Sequence, residues 1–437
     1  MDKQRTIQNE VSVSGVGLHT AKKALLTLKP ADIDSGIIFT RLDLADKPKV
    51  KALPENVLTQ TRSLRRSSIG KNNVEIHTIE HLMAAISGLG IDNLNIEIDN
   101  EEVPGLDGSS VNFVDLLLKA GIKEQEKERS YYRINKPISV EEGGASISAL
   151  PYEGFKVSYT LDYNHPMLKS QFKEIEINGD SFKAEISQAR TFCLEEEAKK
   201  LQELGVGLGA NYENTLVLGK SGVIKNTLRY NDEFLRHKIL DLIGDLYLLG
   251  RPLKAHIVAL KSGHSLNLEL IKMIQTQANP LAALGINDYF PTQSQAMDIE
   301  QIMSILPHRE PFLFVDRIVA MEQGKRAIGI KNVTINDYFF KGHFPGKPVM
   351  PGVIIMETMA QVGGIMMLSS EENRGKLAYF MAMNNVKFRK VVVPGDQLVF
   401  DVVAGKIKSK TGQVFGRALV DGKVVAEGEL MFALAER

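Results

Sequence analysis

Hydrophobic residues along the chain fall into short runs with two different spacings. Residues 24–28 (ALLTL) and 36–41 (GIIFTR) have the length and content of strands, whereas Ile79, Leu82, Met83, Ile86 and Leu89 recur at helical spacing and stop near Gly88 and Gly90. NLNIEID (93–99) alternates like a half-buried strand, PGLDGSS is a turn, and VNFVDLLLKAG predicts a second helix. A charged run, KEQEKERS (123–130), then reads as a linker, after which ASISAL and FKVSYTLDY return to strand character. A long helix over about Asp232–Leu249 ends at Gly250 and leads into the strand-like KAHIVAL and the helical HSLNLELIKMI. This order repeats that of the first unit, with a histidine (His81, His237) preceding a glycine stop and a strand in both. Asn279–Met297, which carries two prolines and a glycine, reads as a further linker. Beyond it, VIIMETMAQVGGIMML is apolar on nearly every side, which predicts a helix wrapped by sheet. The expected architecture is α+β: two related α+β domains over 1–125 and 126–278, a linker over 279–297, and a third unit over 298–437.

Composition narrows the function classes. The 437 residues are 43% hydrophobic and 24% charged, which is enough to bury substantial cores. Fifty-three Lys and Arg balance fifty-three Asp and Glu, so the basic footprint of phosphate-backbone binding is missing and nucleic acid is not an expected partner. A single cysteine, Cys193, forbids an internal disulfide and every zinc site built on cysteine pairs; any metal must be held by His, Asp or Glu. Neither an apolar leader nor a run of 18 apolar residues occurs, so the chain is expected to be cytoplasmic and not membrane-spanning. GVGLGA (205–210) fits a dinucleotide fingerprint but follows the helix-like EEEAKKLQELG, and GKS (219–221) has Asn214 where a phosphate-binding loop needs its first glycine. Neither pattern is retained.

Two constellations carry chemistry. His237, Asp241 and Asp245 fall at four-residue steps on one helix stripe, opposite Leu235, Ile239, Leu242, Ile243 and Leu246. A histidine and an aspartate one turn apart can reach one cation, while His81 and the adjacent Glu80 can add a third ligand and a base. Taken singly, such residues more often sit on solvated faces or in ion pairs. A rival pattern, His77-Thr-Ile-Glu80-His81, matches the H-x-x-E-H of inverted zinc peptidases.

The wider context carries a resemblance. GVGLHT (15–20), HTIEHLMAAISGLGIDN (77–93), LDGSS (106–110), RTF (190–192), RHKILDLIGDLYLLGRP (236–252) and KSGH (261–264) together resemble the UDP-3-O-acyl-N-acetylglucosamine deacetylases of lipid A synthesis, over about residues 3–277. The resemblance implies a UDP-linked acylated glucosamine as substrate and two similar α+β sandwich domains with a zinc site between them. It further implies His81, His237 and Asp241 as ligands of Zn2+, Glu80 as general base, and Thr191 and Lys238 as stabilisers of the oxyanion. His264, held by Asp245, would protonate the leaving amine, and His19 would bind substrate. His77 then has no place among the ligands.

The third unit contains LPHREPFLFVDR (306–317), GHFPGKPVMPGVIIMETMAQVGG (342–364) and KFRKVVVPGD (387–396). Pro351 and Gly352 mark a helix start, and Glu357 sits in an otherwise apolar helix. On these residues alone, His343 capping a turn and Glu357 pairing inside a core is the plainer reading. Together the motifs resemble the 3-hydroxyacyl carrier-protein dehydratases of hot-dog fold, over about residues 298–437. That resemblance implies His343 as the base, Glu357 as the acid, the Gly352 N–H on the thioester oxygen, acyl carrier protein as partner, and a homo-oligomer (dimer or trimer of dimers) built through this domain. The combined expectation is a bifunctional deacetylase and dehydratase, with the alternative of a deacetylase fused to a non-catalytic dimerisation or carrier-binding module.

Overall fold

A computed structural model describes residues 2–58, 66–203, 205–278, 281, 284, 286, 295–408 and 411–436. Strands β1 (Val11–Val16), β2 (Lys23–Pro30), β3 (Ile37–Arg41), β4 (Lys49–Lys51) and β5 (Leu94–Ile98) form one sheet in the order β1-β2-β5-β3-β4. In β5 the alternation of the sequence becomes alternation of burial, with Leu94, Ile96 and Ile98 turned inward. Strands β6 (Ile138–Glu142), β7 (Ala145–Leu150), β8 (Phe155–Leu161), β9 (Gln171–Glu176) and β10 (Leu253–Leu260) form a second sheet in the order β6-β7-β10-β8-β9, with the short strand Tyr132–Arg133 added beside β10. Along each of these five-strand paths the pairing is antiparallel except at one place, where β5 runs parallel to β3 and β10 runs parallel to β8; the added strand Tyr132–Arg133 is also parallel to β10.

The helices keep the same correspondence. Helix α1 (Glu80–Gly88) precedes β5 and α2 (Val111–Ala120) follows it. After α3 (Glu195–Glu203), helix α4 (Glu233–Leu246) precedes β10 and α5 (His264–Ala278) follows it. Every residue of α4 except Arg236 and Lys238 is buried, because α4 lies within a single core that draws Phe39 and Ile96 from the first sheet and Ile147 and Ile257 from the second. Helices α1 and α4 pack on each other, and Gly244 sets how closely: a Cβ there would lie 2.1 Å from the carbonyl oxygen of Glu80. The first turn of α1 is thereby pressed against the polar stripe of α4.

The charged run after α2 is a strand rather than a linker. Ile122–Glu128 pairs antiparallel with Lys3–Ile7, and Arg5 reaches Glu124 at 3.3 Å. Its alternating Lys and Glu face water on a two-stranded ribbon while the backbone ladder is satisfied, so the charge signals exposure and not lack of structure. The stretch 279–297 lies largely outside the described residues, but Leu281 and Ile286 are buried against Ala320, Ile328 and Leu419.

The chain forms two compact units, Met1–Ala278 and Asn279–Arg437. In the second, after helix α6 (Ile299–Ile305), strands β11 (Arg317–Glu322), β12 (Arg326–Asn332), β13 (Leu377–Phe388), β14 (Gln397–Lys408), β15 (Thr411–Val420) and β16 (Lys423–Ala435) make a six-stranded antiparallel sheet in the order β11-β12-β14-β15-β16-β13. Helix α7 (Gly352–Leu368) touches every one of these strands. Six strands at about 4.8 Å spacing are wider than a helix of about 10–12 Å diameter, so the sheet must curve around α7. That curvature explains a helix apolar on all sides, buried from Ile355 to Leu368 apart from Glu357. The edge strand β13 leaves Tyr379, Met381, Met383 and Phe388 exposed. Among the described residues, no helix is long and apolar enough to cross a membrane.

Candidate functional site

In α4, His237 and Asp241 project from successive turns, and the close approach at Gly244 brings His81 from α1 to the same place. The Nδ1–H of His237 donates to the carbonyl of Ala189 at 3.0 Å, which leaves Nε2 facing Asp241 Oδ1 at 3.3 Å. His81 Nε2 lies 3.8 Å from that same oxygen, and one ligand atom from each of the three residues falls within 4.8 Å of the others. All three are buried. Burial lowers both histidines, His81 to about 3 with His237 adding to the effect, so each imidazole is neutral near pH 7 with a lone pair to give. Burial pushes the Asp241 carboxyl up, but His237 and Lys238 overcome it and hold the group below the usual carboxylate range. Two neutral imidazoles and an ionised carboxylate converging on a point fit the three-ligand set of a catalytic metal site.

Two titratable groups flank this cluster with opposite tendencies. Burial raises the Glu80 carboxyl to about 8, and its Oε2 accepts the backbone N–H of Ser67 at 3.0 Å. Burial opposes the charge of His264, yet the adjacent Asp245 more than offsets it and raises the imidazole to about 9. His264 Nδ1–H donates to Asp245 Oδ2 at 2.8 Å, and Asn267 Nδ2 donates to that oxygen at 2.8 Å. Burial works against the Lys238 ammonium as well, but Asp241, at 2.9 Å from Nζ, raises its affinity for the proton.

Thr191, Lys238, Asp241, His264 and His19 all line one cavity of about 800 Å³. Thr191 is fixed there by its backbone, donating to Gly108 and accepting from Leu216. The loop of His19 is clamped by Glu102, which accepts the N–H of His19 at 2.9 Å and of Thr20 at 2.8 Å. His77 stands apart from the cluster, with Nδ1 2.9 Å from Ser68 Oγ and Nε2 3.3 Å from Glu75. Sequence reasoning missed Ser67, Asn267 and Glu102. Asn267 was within reach, three residues past His264 at helical spacing, whereas Ser67 in the run RRSS carries no pattern.

In the second unit, the Nδ1–H of His343 donates to the Val349 carbonyl at 2.7 Å, which makes Nε2 the basic nitrogen. Glu357 Oε1 accepts from Gln361 Nε2 at 3.0 Å and has His308 Nε2 at 3.7 Å; its side chain is 20% exposed in the single chain. Neither a hydrogen bond nor an ion pair joins His343 to Glu357 within the chain. Gly352 opens α7 after Pro351, and a Cβ there would meet the Phe388 ring at 2.7 Å. His308 and Gln361 are also additions of the structure; Gln361, one turn after Glu357, was legible, and His308 arrives from 49 positions upstream of Glu357.

The sequence matches the family of UDP-3-O-acyl N-acetylglycosamine deacetylases over residues 4–276 and the FabA-like domain over residues 306–429. Similar proteins include the bifunctional enzyme LpxC/FabZ of Chlorobaculum tepidum, 40% identical over 99% of this chain and 99% of that protein. The protein of the same name from Bacteroides thetaiotaomicron is 36% identical over 99% and 98%. A UDP-3-O-acyl-N-acetylglucosamine deacetylase of Saccharophagus degradans is 46% identical over 62% of this chain and 91% of its own length.

Proposed function

This chain belongs to the bifunctional LpxC/FabZ enzymes, and from that premise we propose which residues run its two reactions. It removes acetate from UDP-3-O-(3-hydroxyacyl)-N-acetylglucosamine in lipid A synthesis, and it dehydrates (3R)-hydroxyacyl carrier protein to the trans-2-enoyl product in fatty-acid synthesis. The observation that carries the first assignment is the convergence of His81, His237 and Asp241 beside two groups of opposite proton tendency.

His81, His237 and Asp241 would hold Zn2+. A bound zinc supplies Lewis acidity, acidifying water and polarising the acetamide carbonyl. The Glu80 carboxylate takes the proton of the attacking water as the new C–O bond forms. The Lys238 ammonium and the Thr191 hydroxyl face the oxyanion, and a donor of this kind contributes about 10²- to 10³-fold in rate. As the C–N bond breaks, His264 gives its Nε2 proton to the departing amine while Nδ1–H stays on Asp245. His19 borders the cavity where the substrate would lie.

This division of labour fixes a pH profile. The base must be ionised, so kcat/KM rises through the Glu80 value, about 8 in the chain alone and drawn lower by a neighbouring dication. The acid must be protonated, so kcat/KM falls again on the alkaline side, through a His264 value of about 9 in the chain alone that the same dication draws lower. Asp245→Asn removes the anion that sustains the His264 proton and should move the falling limb to lower pH. A falling limb that stays in place would take the acid role from His264.

For the second reaction, the sheet curved around α7 is read as a hot-dog domain. His343 Nε2 withdraws the α proton, Glu357 protonates the departing hydroxyl, and the Gly352 N–H donates to the thioester oxygen. The C–H and C–O bonds break, a C=C bond forms, and water leaves. Because His343 and Glu357 are not joined within one chain and β13 exposes an apolar edge, the site is assigned to a homo-oligomer, His343 facing the partner subunit's Glu357. The double substitution Met381→Glu, Met383→Glu should yield monomers by sedimentation and reduce dehydration by about 10²-fold or more, with acetate release per chain unchanged. Full dehydration by a monomer would rule out the shared site.

A further inference from the structure

We propose that Ser67 is a positioning residue of the deacetylase site, one that ties the proton-accepting side of the reaction to the proton-donating side; this rests on the reading of the site given above. Ser67 is 1% exposed and immediately precedes the strand Ser68–Lys71. Its backbone N–H donates to Glu80 Oε2 at 3.0 Å, and its carbonyl accepts the N–H of Ile79, the residue before α1, at 3.3 Å. Its hydroxyl donates to Asp245 Oδ1 and lies 3.2 Å from His264 Nδ1. One buried residue therefore contacts Glu80, 13 positions away, and Asp245, 178 positions away.

The two oxygens of Asp245 are held differently. Oδ2 takes both His264 and Asn267, while Oδ1 takes the Ser67 hydroxyl. A carboxylate pinned through one oxygen can turn about its Cβ–Cγ bond, a broad and roughly two-fold torsion. With Ser67 on the second oxygen, that rotation is blocked, and the direction of the His264 ring is fixed. Its Nε2 is thus kept 4.0 Å from Asp241 Oδ2, on the cavity side where the leaving amine would lie. Replacing the hydroxyl leaves the backbone bond to Glu80 in place, so the two halves of the link can be separated.

The test compares full-length wild type, Ser67→Ala, Asp245→Asn and the double variant for kcat and KM of acetate release, with bound metal per chain measured by elemental analysis. Ser67→Ala should lower kcat about 10- to 100-fold, the usual effect of removing a group that orients a site residue, with KM and metal content unchanged. In the Asp245→Asn background the same change should alter kcat by less than about twofold, because the hydroxyl acts through the carboxylate it holds. Equal losses in both backgrounds, or a loss carried by KM or by metal content, would overturn the proposal. So would an unimpaired Ser67→Ala. If the alanine variant does not fold, Ser67→Cys, nearly isosteric and a weak donor, carries the same expectation. A wild-type protein that released no acetate would remove the reading of the site itself, an outcome distinct from an active wild type with an indifferent Ser67.

Discussion

His237→Ala is expected to lose acetate release by about 10³-fold or more and to keep dehydration at the wild-type rate. The first effect follows from the donor set. His237 is one of three converging ligands, its Nδ1 is held by Ala189, and its Nε2 meets the same Asp241 oxygen that His81 approaches. Without it, one imidazole and one carboxylate remain, one ligand fewer than a catalytic zinc site uses. Bound metal should fall from about one per chain to a small fraction, and the rate with it, a loss of about 4 kcal/mol in transition-state stabilisation. Dehydration, whose residues all lie in the second unit, shows that the loss is confined to the first, and an unchanged circular dichroism spectrum shows that the first is still folded. An alanine variant that kept its metal and its acetate release would remove His237 from the site. The rival peptidase pattern makes the opposite forecast, that His77→Ala and not His237→Ala empties the metal.

His343→Ala should lower dehydration by about 10²- to 10⁴-fold, the range lost with a general base, and leave acetate release intact. The reason is again positional: the Val349 carbonyl fixes the His343 proton on Nδ1 and leaves Nε2 as acceptor. Mixing gives a sharper result. If each site draws its histidine and its glutamate from different subunits, reassociating His343→Ala chains with Glu357→Gln chains creates one intact site per heterodimer. Random pairing then restores about a quarter of the wild-type rate. Sites contained within single chains would restore nothing. A wild-type chain without any dehydration would favour the scaffold alternative for this domain.

The sequence made part of this molecule legible and hid the rest for physical reasons. Helix α4 could be read because its spacing encodes both an apolar face and a polar stripe, and the structure buries both. The order of helix, glycine stop and strand around His81 and His237 was readable as a repeat; that the two sheets share one five-strand order, with the parallel pair at the same place in each, was not, since pairing depends on distant partners. The run 123–130 misled because charge reports contact with water, which an exposed ribbon has as fully as a linker. Ser67 escaped because a hydroxyl in a polar run looks like surface until a buried carboxylate 178 positions later comes to meet it. Residues that act through backbone groups, such as Val349 and Ala189 on the two histidines, leave no trace in side-chain patterns at all.

One cation held among His81, His237 and Asp241 is what the proposed deacetylation requires. Anomalous diffraction at the zinc absorption edge, from crystals of the full chain, tests it most directly. The expected result is one strong peak at about 2.0–2.2 Å from a ring nitrogen of each histidine and from an Asp241 oxygen. A peak beside His77, or none within bonding distance of His237, would contradict it.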